Sequence, residues 1–146
     1  MKTKININGK EVEIELTTEQ VNFIKSKSID YTDIKTLQNA LDYNGKTLKQ
    51  FNWETERDTD QQKATKELEE IAKALRLGNE LTMTDTWYYP YFRRNSVSGF
   101  SFNDYDCDRA YSIVSSRLCV ENSDKAIYMG KQFIEIYNRH LAPEQK

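Results

Sequence analysis

The residue types with the clearest chemical use in this 146-residue sequence are aromatic rings beside arginines. Five rings fall between residues 87 and 92, and two arginines follow them directly. Aromatic faces stack on bases or on partner side chains, and guanidinium groups hold phosphates or carboxylates. We therefore predict a binding patch, and we call it the predicted patch. Its members are Trp87, Tyr88, Tyr89, Tyr91, Phe92, Arg93, Arg94 and Arg117.

The sequence allows three interpretations of the predicted patch. If residues 87–92 form a strand, Trp87, Tyr89 and Tyr91 share one face, and the residues between them share the other. Both faces can be packed as core, one face can bind a protein partner, or one face can stack a nucleotide or single-stranded nucleic acid. The nucleic-acid interpretation requires at least two exposed rings beside the arginines of the patch.

Three alternating aspartates, Asp104, Asp106 and Asp108, follow in a predicted loop and suggest a calcium-binding loop. The calcium-loop template continues with glycine and glutamate at positions where this sequence has Arg109 and Ser115. The template therefore fails, and we expect a solvated acidic turn without a metal ion.

Catalysis would have to rely on Cys119 as nucleophile and on His140, the single histidine, as base. A cysteine in an apolar run is usually a small buried hydrophobe, and a histidine near a helix C-terminus interacts favourably with the helix dipole. The sequence contains no third orienting residue for this pair, no metal-ligand spacing and no phosphate-binding glycine loop. We expect a protein that is not an enzyme and has no cofactor.

The composition narrows the class of protein. The sequence has 38% hydrophobic and 30% charged residues, and it is too apolar and too aromatic for a disordered chain. With 21 basic and 23 acidic residues the net charge is −2, which excludes a generally basic coat for nucleic acid. The sequence has no apolar run of the ~20 residues that span a bilayer, and its first residues do not form a signal peptide. We expect one cytoplasmic domain covering residues 1–146.

The sequence pattern in the first part of the chain predicts a hairpin followed by helices. Polar and apolar residues alternate on both sides of Asn8-Gly9, which predicts a β-hairpin over residues 1–16. Thr17 and Gln20 have the spacing of a capping box, so a helix is expected to begin there.

Residues 17–78 are predicted to be the helical part of the chain. The clearest helix is expected to begin with a capping box formed by Asp58 and Gln61 and to close just before Gly78. Between the helices, residues 46–57 are predicted to form a loop or a short strand.

Residues 86–120 change to a pattern typical of strands, rich in aromatic and β-branched residues. Three antiparallel strands are expected, at residues 87–92, 100–102 and 112–120. Pro90 removes a ladder donor, so its strand should be an edge or carry a bulge. A helix over residues 122–141 completes an α+β fold: a small antiparallel β-sheet with helices packed on one face, plus the N-terminal hairpin.

Residues 64–141 resemble a family of small proteins common in phages and prophages of Bacteroidetes and related bacteria. The similarity rests on the helix end at residues 71–75, the aromatic run at 87–92, Ser98-Gly99-Phe100, Ser116-Arg117-Leu118-Cys119, and residues 126–133 with Tyr137 behind them. The sequence departs from the family pattern at residues 79–81, where an aspartate-tryptophan pair is usual. The resemblance implies a mobile-element origin and a fold, and no particular chemistry.

Together these observations favour a non-catalytic binding protein encoded by a phage or prophage. Its expected partner is a host or phage protein in the bacterial cytoplasm, for example a host defence system that targets nucleic acid, which the protein would inhibit. The alternative is a nucleotide or single-stranded nucleic-acid binding module that uses the predicted patch as a platform.

Overall fold

The computed structural model describes residues 1–97, 99–109 and 115–142, apart from the side chains of residues 25–27. In these residues it contains six α-helices and two antiparallel two-stranded sheets, which confirms the predicted α+β class. The chain divides into two units, Met1–Asp30 and Tyr31–Lys146. The expectation of a single domain over residues 1–146 stays a prediction.

The first unit has the two elements predicted for it, a hairpin and a helix. They are β1 (Lys2–Ile7), β2 (Lys10–Glu15) and α1 (Thr18–Ser28). Asn8 and Gly9 both have positive φ, 52° and 81°, as the tight turn between two antiparallel strands requires. The Thr17 hydroxyl accepts from the backbone N–H of Gln20, whose side-chain oxygen accepts from the N–H of Thr17. The predicted capping box is therefore confirmed.

The second unit contains the remaining helices and the aromatic strands. Its α-helices are α2 (Leu37–Asn44), α3 (Leu48–Glu54), α4 (Asp60–Leu75), α5 (Ser123–Gln132) and α6 (Ile134–Leu141). Its strands are β3 (Trp87–Asn95) and β4 (Gly99–Asp108), and short 3-10 helices cover Tyr31–Asp33 and Ser116–Leu118. We call β3 and β4 together the ribbon.

The helix α4 lies at the centre of the core of this unit and contacts α2 and α6. Its predicted apolar stripe, Ala64, Leu68, Ile71 and Leu75, is fully buried. Side chains from the later part of the chain complete the same cluster: Leu118, Val120, Ala126, Met129, Phe133 and Tyr137.

The N-terminus of α4 lies one residue later than the sequence predicted. Thr59 is the N-cap: its hydroxyl accepts from the N–H of Gln62 at 3.2 Å, and the Gln62 side chain accepts from the N–H of Thr59 at 2.9 Å. Asp58 instead forms an ion pair with Lys66 at 2.7 Å. The prediction of an Asp58–Gln61 capping box was therefore wrong. The pairs Asp58–Gln61 and Thr59–Gln62 have the same spacing in the sequence, and only the backbone conformation selects the second.

Thr59→Ala is expected to lower the free energy of unfolding by about 1 kcal/mol, since it leaves the N–H of Gln62 without its acceptor. Thr59→Ser keeps the hydroxyl and should stay within ~0.3 kcal/mol of the wild type. Urea unfolding followed by circular dichroism measures both variants. An equal loss in both would show that the threonine methyl group, rather than the cap, is responsible.

Residues 46–57 contain a helix rather than the predicted loop or strand. Thr47 and Gln50 form a second reciprocal capping box, which starts α3. Phe51 on this helix is 1% exposed and anchors it to the body of the unit. The short amphipathic pattern was missed because a seven-residue helix shows too few turns to establish a period.

The third predicted strand, over residues 112–120, is wrong for its described part. Residues 116–118 form a 3-10 helix, and Val120 makes only an isolated bridge to Tyr88, with N···O distances of 3.0 and 2.9 Å. The Arg76 guanidinium donates to the carbonyls of Ser116 and Cys119, and holds this segment in its compact form. Residues 112–114 lie outside the described residues.

The C-terminal helix predicted over residues 122–141 is two helices. Phe133, with φ −110° and ψ 28°, ends α5 and precedes α6. The helix α5 packs on the ribbon, whereas α6 packs on α4 and on β4. The two helices meet at Phe133, whose ring is buried, with α5 packed mainly on β3 and α6 mainly on α4.

Candidate functional site

The ribbon brings the aromatic run and the three aspartates together. Trp87, Tyr89 and Tyr91 lie directly opposite Asp108, Asp106 and Asp104, respectively, in an unbroken register. Directly opposed residues share a face of an antiparallel pair, so these six residues form one face, which we call the acidic–aromatic face. The aspartates therefore belong to a strand, and their predicted placement in a loop was wrong.

Pro90 is accommodated as the sequence suggested. The register shifts between Tyr91 and Phe92, one residue after the proline. Because Tyr88 uses its backbone groups to bond Val120 on the side away from β4, Pro90, two residues later, also faces away from β4. The missing N–H of proline therefore costs no hydrogen bond of the ribbon.

The rings of the predicted patch differ strongly in exposure. Tyr91 is 42% exposed, and Tyr89 is 7% exposed. The other three rings, Trp87, Tyr88 and Phe92, are half-buried. The run is therefore mostly packed, with one ring on the surface.

Two of the half-buried rings have specific partners inside the unit. The Trp87 indole N–H donates to the carbonyl of Thr82 at 2.9 Å. The Phe92 ring lies against the ring of Tyr137 on α6, with 4.5 Å between centroids. Both rings therefore serve to attach β3 to its surroundings.

The arginines of the patch are not gathered at one place. Arg93 and Arg94 are exposed and adjacent, so their side chains leave opposite faces of β3. Arg117 lies in the second 3-10 helix and forms an ion pair with Glu69 of α4, with Nε and Oε1 3.4 Å apart. Among the described residues, none of these arginines forms an ion pair with Asp104 or Asp106.

Three rings of the patch line a cavity of about 260 Å³, which we call the aromatic pocket. Its walls include Tyr89, Tyr91, Phe92, Phe100, Tyr137 and His140. Residues from β3, β4 and α6 meet here, and Phe92 and Leu141 in its walls are 49 positions apart in the sequence, so only the folded chain assembles it.

 The aromatic pocket therefore depends on long-range packing and could not be read from the spacing of its residues.

Two polar side chains in the walls of the aromatic pocket have a shifted pKa. The Tyr137 hydroxyl is buried and has no hydrogen-bond partner among the described residues, and burial raises the pKa of Tyr137 well above its ordinary value. Nδ1 of His140 lies 2.9 Å from the hydroxyl oxygen of Thr65, and burial lowers the pKa of His140. Both side chains are therefore uncharged at neutral pH, and the pocket is an apolar, uncharged recess.

Cys119 and His140, the sequence's only candidate pair for catalysis, are not hydrogen-bonded to each other. The Cys119 thiol donates to the carbonyl of Ser115 at 3.3 Å, and the imidazole of His140 is engaged by Thr65. Within the part of the chain that the structure describes, no group of three or more His, Cys, Asp or Glu side chains is placed to hold a metal ion.

The two cysteines should differ sharply in reactivity. Burial raises the pKa of Cys119 to about 11, whereas Cys107 on β4 is exposed. Because the thiolate is the reactive form, native protein treated with iodoacetamide at pH 8 is expected to take one label at Cys107, with Cys119 at least ~100-fold slower. Peptide mass spectrometry assigns the label, and denatured protein, which should take two, is the control. Equal labelling of both native thiols would contradict the buried position of Cys119.

Asn138 on α6 positions one end of β4, and no pattern in the sequence indicated this role. Its side-chain oxygen accepts from the N–H of Phe100 at 2.7 Å, and its side-chain nitrogen donates to the carbonyl of Phe100 at 3.0 Å. Gly99 has a φ of 88°, and a Cβ atom there would lie 2.7 Å from the same oxygen, so the position favours glycine. Asn138 thus takes the place of a neighbouring strand at this end of β4.

Comparisons with known proteins give no relative for this chain: no protein-family model, no curated protein and no solved structure matches it. None of the helices in the described ranges is long and apolar enough to cross a membrane. The resemblance of residues 64–141 to phage and prophage proteins therefore stays a prediction.

Proposed function

We propose that the protein is a non-catalytic binding protein whose partner is another protein. The observation that carries the proposal is the aromatic pocket with the exposed ring of Tyr91 at its wall. An aromatic side chain beside an apolar recess is typical of the residues that dominate the energy of protein–protein binding. At about 260 Å³ the recess is below the usual ~300–1,000 Å³ of a small-molecule site and suits one large apolar side chain of the partner.

The charges of the acidic–aromatic face favour a protein over a nucleotide or single-stranded nucleic acid. Asp104 lies directly opposite Tyr91, the one exposed ring of residues 87–92. A base stacked on Tyr91 would bring its phosphate close to this carboxylate, and the two negative charges would repel. Arg93 is the only arginine of residues 87–95 on that face, because Arg94 leaves the opposite one.

The resemblance to phage and prophage proteins supports a setting for this binding. In that setting the partner is a host or phage protein in the bacterial cytoplasm, and a host defence system that targets nucleic acid is the candidate we favour. Binding to such a system would block it by occupying a surface, which requires no catalytic residue and no cofactor.

The experiment that tests the proposal compares capture by three forms of the full chain from lysate of the infected host. We expect the wild type to retain a specific protein and Tyr91→Ala to retain it at least ~10-fold less, as removal of a central aromatic anchor predicts. Trp53→Ala is the matched control, because Trp53 on α3 is 77% exposed and lies outside the pocket. Retention by this control should equal that of the wild type.

Two results would overturn the proposal. Retention of nucleotides or oligonucleotides with no protein would favour the nucleic-acid alternative, above all if their affinity fell steeply between low and physiological salt, as phosphate contacts require. An equal loss of the partner in Tyr91→Ala and Trp53→Ala would show that the aromatic pocket is not the binding surface.

A further inference from the structure

Among the described residues, no strand pairs with the backbone groups on the outer edge of β4. In an antiparallel pair, alternate residues turn both backbone groups toward the partner strand or away from it. Tyr88 turns away from β4 to bond Val120, so its opposite residue Cys107 turns away from β3. Tyr105, two residues earlier, faces outward in the same way.

Aspartate side chains accept hydrogen bonds from the outward N–H groups of this edge. The N–H of Tyr105 donates to Oδ1 of Asp104 at 2.9 Å, and the N–H of Cys107 donates to Oδ1 of Asp106 at 2.8 Å. Farther along the same edge, Asn138 covers Phe100. Asn138 thus covers one end of the edge, while at the other end, within the part of the chain that the structure describes, the carboxylates of Asp104 and Asp106 accept from the outward N–H groups.

This open part of the edge is accessible and negatively charged. Asp104, Asp106 and Cys107 are exposed, and Tyr105 is 37% exposed. Neither carboxylate forms an ion pair with a cation in the described ranges of the chain. Two carboxylates two residues apart on one face therefore keep their charge available to a positively charged partner.

We propose that an extended segment of the protein partner, with lysine or arginine at alternate positions, adds to the outer edge of β4 as a third strand of the ribbon. The proposal rests on the proposed function, since it takes the partner to be a protein. The added strand would bond the backbone of Tyr105 and Cys107, and this would release the carboxylates of Asp104 and Asp106 to pair with its cationic side chains.

A second copy of the chain is the wrong occupant for this edge. If two copies of β4 paired antiparallel through this edge, each outward-facing residue of one copy would lie opposite an outward-facing residue of the other. Tyr105 or Cys107 of one copy would therefore lie opposite Tyr105 or Cys107 of the other. Every such register also places aspartates of one copy opposite aspartates of the other. Like charges directly opposed across a strand pair are destabilising, whereas a basic segment gains from the same geometry.

The test titrates the full chain with three synthetic eight-residue peptides. One alternates lysine with valine, the second alternates glutamate with valine, and the third has the composition of the first with its four lysines grouped together. We expect only the alternating lysine peptide to shift the backbone amide signals of Tyr105 and Cys107 in nuclear magnetic resonance spectra. The same two amides should then exchange more slowly with solvent, because the added strand bonds them.

Variants of the edge separate charge from backbone pairing. The double variant Asp104→Asn, Asp106→Asn keeps an oxygen for each N–H and removes both charges, and we expect its affinity for the alternating lysine peptide to fall at least ~10-fold. Cys107→Pro removes an outward N–H that the ribbon does not use, so the peptide should no longer shift the remaining amide signal, that of Tyr105, while β3 and β4 stay paired. Cys107→Val, which keeps the N–H, is the matched control and should bind as the wild type does.

The outcomes distinguish this proposal from the proposed function. Equal binding of the grouped-lysine peptide, or unchanged binding by the double variant, would overturn strand addition. If no peptide binds but Tyr91→Ala still loses the lysate partner, the edge proposal is wrong and the pocket proposal stands. If the peptide binds through β4 while Tyr91→Ala keeps the partner, the assignment of the pocket is wrong instead.

Discussion

Replacing Arg139 with methionine is expected to lower the free energy of unfolding by about 3 kcal/mol. Arg139 on α6 forms ion pairs with Glu67 and Asp60 of α4. The Glu67 side chain is only 7% exposed, so the variant leaves a carboxylate buried without its counter-charge. Removal of one partner of a buried pair typically costs about 3–5 kcal/mol, and the partial exposure of Arg139 places this pair at the lower end.

Urea unfolding at pH 7 measures this loss, and two further variants identify its cause. The double variant Arg139→Met, Glu67→Gln removes the uncompensated charge and should be more stable than Arg139→Met alone. Asp60→Asn, which changes the 71% exposed partner, should cost less than ~1 kcal/mol. A double variant less stable than Arg139→Met would contradict the explanation by a buried charge.

Gly130→Val is expected to lower the free energy of unfolding by about 3 kcal/mol, the upper range for overpacking a core. A Cβ atom on Gly130 would lie 2.5 Å from Cδ2 of Phe102 and 2.6 Å from Cβ of Pro90. Because the Pro90 contact involves a rigid ring next to backbone, α5 would have to move away from the ribbon. Valine adds a branched side chain at the same point, so the clash outweighs the ~1 kcal/mol that a helix gains when glycine is replaced.

The same unfolding experiment tests the Gly130 prediction. Gly130→Ala should be destabilised less than Gly130→Val, since it adds only the Cβ atom. In a background with Phe102→Leu, whose side chain is shorter, Gly130→Ala should cost less than it does in the wild type. Stability of Gly130→Val equal to or above that of the wild type would show that α5 does not approach the ribbon as closely as Gly130 implies.

The parts of the fold that the sequence predicted are those set by neighbouring residues. The Asn8-Gly9 turn, the capping box at Thr17 and the buried stripe of α4 each depend on a few positions close together in the chain. The alternation of Trp87, Tyr89 and Tyr91 on one face followed from the strand period alone. These local signals were sufficient for the α+β class.

The parts that the sequence did not predict depend on contacts between distant residues. Residues 112–120 were predicted as a strand, but Arg76 binds the carbonyls of Ser116 and Cys119, and residues 116–118 form a 3-10 helix. The break at Phe133 separates α5, which packs mainly on β3, from α6, which packs mainly on α4. The aromatic pocket needs Tyr137 and His140 from α6, and no spacing in the sequence relates either residue to the aromatic run.

The packing of α6 on α4 has a consequence for the order in which the protein folds. The Gln61 side chain donates to the carbonyl of His140, 79 positions away, and Thr65 contacts the same histidine across 75 positions. During synthesis, the side of α4 that meets α6 therefore stays uncovered until residues 134–141 have left the ribosome. The strands β3 and β4 follow each other closely and can pair early, because a short loop has a small closure entropy. A nascent chain stalled after the ribbon should thus expose the apolar side of α4 to chaperones, and release of α6 should end that exposure.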